Sequence, residues 1–217
     1  MYTNADQGGV KSSKRRRGGA LSTEQVIAAA MSIVDTEGVE ALTIRRLAAD
    51  CGLSPMAIYR YVRDKDELLD RVVDEVTAQV GHVSASGPWQ DRLAELMAQA
   101  RQALLHHPGV ALVAITRASP GPSVARFYDR ALAILDDAGL EPARAVLTFD
   151  TLLMFLFGSV LWQTPRRPTE RGRLLRLAAL LDNPPAHLLA HADDLAARDP
   201  DRYFEYGIKT ILDGMAE

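Results

Sequence analysis

The sequence is poor in cysteine and in lysine. Its one thiol, Cys51, has no partner in the chain, which excludes an intrachain disulfide and leaves a cysteine-based metal site without a second ligand. Such usage predicts a reducing cytoplasm. Four lysines stand beside 21 arginines; with abundant Ala and Leu this suggests GC-rich bacterial coding, a property of genome rather than fold. Long apolar runs are missing too. The most apolar stretch, Leu152 to Trp162, falls short of the roughly 20 residues a membrane span needs. The N-terminus is polar and lacks the apolar segment of a signal peptide, so no membrane partner is expected. There is no H-E-x-x-H, no nucleophile elbow and no glycine-rich phosphate loop, so the chain is not expected to be an enzyme. His187 and His191 are spaced i, i+4, but they follow Pro184-Pro185 in a polar stretch with no obvious third ligand. No metal and no cofactor are expected.

A uniform excess of positive charge is also absent. The net charge of −3 excludes a wholly basic, nucleic-acid-coating protein. Its distribution is uneven, net +2 from Lys11 to Arg71 and net −4 from Val72 onward. Only the N-terminal part can neutralise phosphates.

What is present is a chain of 217 residues, 47% hydrophobic, enough for one or two cores. Apolar residues recur at helical spacing, with neither strand alternation nor repeats, which predicts an all-α fold of about ten helices. Met1 to Gly19 is polar, glycine-rich and expected to be disordered. Its Lys14-Arg15-Arg16-Arg17 run reads either as a mobile arm on DNA or as a solubilising tail, partly an expression remnant. The break from Gly81 to Pro88 divides the remainder, giving an arm (1–19), a first domain (20–80) and a second (81–217).

The first helix starts at Ser22, where Gln25 completes a capping box and Leu21 can staple onto Val26; Gly38 closes it. Thr43 caps a second helix with Ile44, Leu47 and Ala48 on one face, and Gly52 supplies a sharp turn. Ser54 then caps a third helix with Pro55 at its first position. On a wheel of about 100° per residue, Ile58 and Val62 share an inward face. Met56 and Arg60 fall about 160° away, with Ala57 and Tyr59 on the flanks. Asp64 caps a fourth helix, with Lys65 at its first position, where ammonium and free N–H groups together favour a phosphate. Two helices joined by a tight turn form either the helix-turn-helix whose second helix enters a DNA major groove, or an ordinary corner in a helical core. Cys51, at that junction, is a redox sensor or a small turn residue.

The string Thr43-Ile-Arg-Arg-Leu-Ala48, followed by Gly52, Tyr59-Arg-Tyr-Val62, Lys65 and Leu68-Leu69, resembles the DNA-binding domain of TetR-type transcriptional repressors. The match covers about Ser22 to Val76. The remainder is similar, more loosely, to the ligand-binding half of tetracycline repressors: Arg101-Gln-Ala-Leu-Leu105, the Gly139-Leu140 turn, Phe155 to Gly158, and Tyr203-Phe204 with Gly207. The resemblance implies a homodimer on a pseudo-palindromic double-stranded operator, with a small-molecule effector in the second domain lowering DNA affinity. The long helix ending near Gln163 and the last helix would form the dimer bundle. Carried over by position, Arg45, Met56 and Arg60 would contact bases and Thr43, Ser54, Tyr59, Tyr61 and Lys65 phosphates, with Pro55 and Ala57 on the same surface. For Tyr61 the alternative is packing.

The effector pocket is expected to be lined by Leu96, Ala100, Phe127, Asp150, Met154 and Phe157. Asp150 would bind a polar or cationic group of a ligand, pair with Arg130 or Arg144, or lie exposed at a helix edge. The histidines that help hold tetracycline and its magnesium in the family's namesake fall by eye at Val80 and Ala114. Neither side chain can ligate a metal, so a magnesium–tetracycline sensor is not expected. His106 and His107 suit a helix C-terminus or a ligand, and Trp162 a ligand wall or a dimer contact. A DNA-binding dimer that acts through a protein partner, without a small ligand, stays open.

Overall fold

The computed structural model describes residues 21–117, 121–163, 176–181, 185–197 and 199–215. The basic arm, the Pro165–Thr169 loop, Ser119-Pro120 and Asn183-Pro184 lie outside the described residues. Within those residues the chain is helical, with no strand. Eight helices follow in order: α1 (Thr23–Glu37), α2 (Ile44–Cys51), α3 (Pro55–Ile58), α4 (Lys65–Ala78), α5 (Trp89–His106), α6 (Pro108–Thr116), α7 (Pro122–Asp137) and α8 (Pro142–Gln163). A helical turn at 176–179 and two short helices, Ala186–Ala190 and Ala192–Ala196, precede the C-terminal helix Pro200–Met215.

Local chemistry sets the helix starts. Ser22 Oγ accepts from the Gln25 amide while Gln25 Oε1 accepts from the Ser22 amide, a complete capping box. Thr43, Ser54 and Asp64 cap α2, α3 and α4 in the same way, each accepting from the amide three residues on. Gly52 takes φ 64° and ψ 29°, the left-handed conformation that lets α2 stop and α3 leave at a sharp angle. Val26, Ile27, Ala30, Ile33 and Val34 of α1 meet Leu47, Ala48, Ile58 and Leu68 in a fully buried core. Each large apolar side chain so buried contributes about 1.5–3 kcal/mol.

Two expectations need correction. The third helix is shorter than the apolar spacing implied: α3 ends at Ile58, and residues 59–61 form a tight turn in which the Arg60 and Tyr61 amides bond to carbonyls three residues back. The chain also holds a helix long enough to cross a membrane by length and composition alone. It is α8, with a mean hydropathy of 1.8. The shortfall read from Leu152 to Trp162 ignored the apolar first half of this helix. In the fold α8 packs on α5, α6, α7 and the C-terminal helix, and its inward residues Phe149, Leu152, Leu156 and Val160 are buried.

α4 joins the two halves. One side packs on α1 and the other on α6 and α7, so the helix behind the helix-turn-helix is also a wall of the second domain.

Candidate functional site

The outer face of α2 and α3 is built by subtraction of charge. Arg46 is bound to Glu37 at 2.7 Å and to Asp50 at 3.1 Å. Arg63 and Arg71 both converge on Glu67. The Arg63 amide and guanidinium, with Arg71, hold the Glu67 carboxyl down to about 2. Arg45 and Arg60, by contrast, are exposed, and their guanidiniums make no hydrogen bond or ion pair within the described residues. Met56 is 76% exposed beside them, and Tyr59 is exposed as well. Thr43, Ser54 and Pro55 are exposed, and Ala57 is half-buried. The Thr43 and Ser54 hydroxyls accept from backbone amides and keep their own protons to donate.

Two expected phosphate ligands behave differently. Tyr61 is half-buried, and its hydroxyl donates to the Leu21 carbonyl at 2.9 Å. That bond consumes its one proton, and a phosphate oxygen only accepts, so Tyr61 ties the turn to α1 rather than reaching DNA. Tyr61→Phe is expected to cost about 1 kcal/mol of stability. Chemical denaturation checks this, and the salt dependence of DNA binding is expected to stay unchanged. Lys65 donates to the Val39 carbonyl at 2.9 Å, and its ammonium keeps two further protons. Cys51 is half-buried, and burial, with Asp50 nearby, pushes its thiol pKa up. A thiol held protonated is a poor nucleophile, which favours the small-turn-residue reading.

The second feature is a partly open cavity of about 600 Å³ lined by residues of α4, α5, α6, α7 and α8 and by Arg117. Ala100, Phe127 and Phe157 line it, as expected, together with Tyr128, Val124, Leu153 and Leu156. Val80 and Ala114, the positions matched to histidines, both face it. Three expected lining residues do not. Leu96 is fully buried, packed into the core away from the cavity. Met154 is 68% exposed and Asp150 is exposed, because both lie on the outer face of α8. Asp150 pairs with neither suggested arginine: Arg130 donates to the Val80 and Gly81 carbonyls, and Arg144 to the Met215 carbonyl.

The contacts between the halves were not foreseen. Asp35 of α1 accepts from the Gly109 amide at 3.2 Å and meets His107 Nδ1 at 2.7 Å, at the start of α6. Asp74 of α4 accepts from the Ser123 and Val124 amides at 2.7 and 3.1 Å, capping α7. Asp66 and Asp70, two turns and one turn earlier on the same face of α4, hold Arg117 at 2.9 and 3.4 Å. Carboxylates of the first domain thus cap two helices of the second. One sequence signal pointed there: α6 and α7 start at His107-Pro108-Gly109 and Gly121-Pro122, with no side-chain cap of their own. An uncapped start needs a partner from elsewhere in the fold.

A bundle with a helix-turn-helix at one end and a largely apolar, partly open cavity behind it has the architecture of a DNA-binding regulator. Two family models divide the chain: bacterial regulatory proteins of the tetR family over residues 26–72, and the tetracyclin repressor-like C-terminal domain over residues 84–217. The chain belongs to the TetR family and is a TetR-type transcriptional regulator. It is 30% identical to an HTH-type transcriptional regulator of Saccharopolyspora erythraea, with 90% of this chain and 85% of that protein covered. It is 32% identical to a class A tetracycline repressor of Escherichia coli, with 91% of each covered. Among solved structures it is similar to apo ActR of Streptomyces coelicolor, with a TM-score of 0.82, 29% identity and coverage of 92% of this chain and 97% of that one. ActR has also been solved in complex with actinorhodin.

Proposed function

We propose that this regulator is a repressor that binds a palindromic operator as a homodimer and is released by a small-molecule effector held in the cavity. The observation that carries the DNA half is the pair of unpaired guanidiniums, Arg45 and Arg60, beside exposed Met56, while the neighbouring arginines are neutralised. Arg45, Met56 and Arg60 read bases, and Thr43, Ser54, Tyr59 and Lys65 hold phosphates, with Pro55 and Ala57 against the backbone. Residues 20–80 form the DNA-binding domain and 81–217 the effector and dimerisation domain. Dimerisation through α8 and the C-terminal helix is supported by their exposed Leu147, Met154, Leu161, Tyr203 and Tyr206. The protein is cytoplasmic and works by binding rather than by catalysis.

The cavity supports a small ligand over a regulator that acts only through a protein partner, because it is a concave, mostly apolar pocket of ligand size with a few polar groups on its wall. Apolar Val80 and Ala114 in its wall favour an effector other than magnesium–tetracycline. Selection of bound duplexes from a random pool tests the reading. The expected result is a two-fold symmetric sequence with half-sites about 34–36 Å apart or a multiple of it. Enrichment of no sequence, or of an asymmetric one by a monomer, would overturn it.

A further inference from the structure

We infer that the effector is an aromatic organic anion, and that its acidic group takes Arg117 from Asp66 and Asp70, unlatching α4. This rests on the reading of the cavity as the effector site. The polar groups lining that cavity are few, and most are committed. Thr77 and Thr116 donate their hydroxyl protons to the Val73 and Leu112 carbonyls of their own helices. No Asp or Glu lines the wall among the described residues, so a cationic ligand would meet no counter-charge. Arg117 is the one cation on the wall among the described residues. Its Nε is buried and donates to nothing among the described residues, although burial of an unmade donor is costly. The phenyl rings of Phe127 and Phe157 and the phenol of Tyr128 offer flat apolar surface beside it. Together these groups suit a ring system that carries one acidic substituent.

The same guanidinium holds the first two turns of α4, the helix that follows the DNA-reading turn directly. A carboxylate, phenolate or sulfonate that engages the free Nε of Arg117 draws the guanidinium into the cavity and away from Asp66 and Asp70, which hold its two terminal nitrogens. Filling the cavity and loosening α4 are then a single exchange of partners. The coupling is reciprocal: a protein that holds the latch closed binds the anion more weakly.

The probe pair is 8-anilinonaphthalene-1-sulfonate and N-phenyl-1-naphthylamine, which share a ring system and differ in charge. Fluorescence titration of the full chain is expected to give about tenfold tighter binding of the sulfonate, as a charge-assisted bond implies. Arg117→Gln should abolish that preference and leave the neutral probe unaffected. Asp66→Asn with Asp70→Asn should tighten sulfonate binding several-fold, an effect opposite in sign to any loss of folding. Hydrogen exchange of residues 65–70 should quicken when the sulfonate binds wild type, and not when it binds Arg117→Gln. Equal affinity for the two probes, or a preference that survives Arg117→Gln, overturns the anion and leaves the cavity reading intact. If neither probe binds, both fall. Sulfonate binding without faster exchange in α4 overturns the unlatching.

Discussion

Gly109→Ala is expected to lower stability by about 3 kcal/mol, the upper range for forcing volume into a packed interior. At this chain length that corresponds to a fall in Tm of roughly 10 °C. A Cβ on Gly109 would stand 2.1 Å from the Val34 carbonyl oxygen and 2.6 Å from its carbon. Both atoms are backbone in the buried part of α1, so neither can swing aside. α6 must retreat instead, and the Asp35 bond to the Gly109 amide lengthens or breaks. Gly207→Ala is the comparison. There a Cβ would meet the tip of the Phe155 ring, which can tilt while keeping most of its contact with Phe204, so the loss should be nearer 1 kcal/mol. Thermal unfolding of the two variants checks the order. A Gly109→Ala protein as stable as wild type would show that α6 does not press on α1 in solution.

Arg60→Ala is expected to weaken operator binding by about 2–6 kcal/mol, taking roughly 1–3 kcal/mol for each of the two half-sites of the proposed dimer. Even the lower figure is about 30-fold in Kd. Specificity should relax at one base pair per half-site, because the guanidinium is proposed to read a base edge. Arg46→Ala is the control, since Arg46 is tied to Glu37 and Asp50 on the protein itself. It should change operator affinity far less. Lys65→Ala should weaken all DNA alike and reduce the salt slope by about two, roughly one for each half-site. Gel shifts on the selected operator and on random duplex, at two salt concentrations, separate these outcomes. Equal losses for Arg46→Ala and Arg60→Ala would mean that charge near the groove, not base reading, dominates.

Much of the DNA-reading end was legible in the chain, because its information is local. Caps at Ser22, Thr43, Ser54 and Asp64, a glycine at the αL position of Gly52 and a period of 3.6 each act within one helical turn. The placement of Arg45 and Arg60 on the outside follows from the burial of Leu47 and Ile58 on the inside. Tyr61 was ambiguous because a wheel gives the direction of a side chain and not its partner, and the Leu21 carbonyl lies 40 residues away.

The cavity end was only half legible. Of the residues expected to line the cavity, Ala100, Phe127 and Phe157 do, and Leu96, Asp150 and Met154 do not. In a helix that is apolar nearly all round, as α8 is, hydrophobicity does not say which face meets the cavity and which faces outward. Arg117 was passed over because its importance lies in contacts with Asp66 and Asp70 across some 50 residues.

By itself the sequence determined the positions of most helices, the caps of α1 to α4, the turn at Gly52 and which residues of α2 and α3 face outward, since each depends on neighbours within about four residues. The tertiary structure alone decided which face of α8 lines the cavity. It alone paired Asp35 and Asp74 with the bare starts of α6 and α7, and set Arg117 between the cavity and α4. These depend on how helices distant in sequence pack, and such packing is set by the summed fit of the whole core rather than by any one stretch of chain.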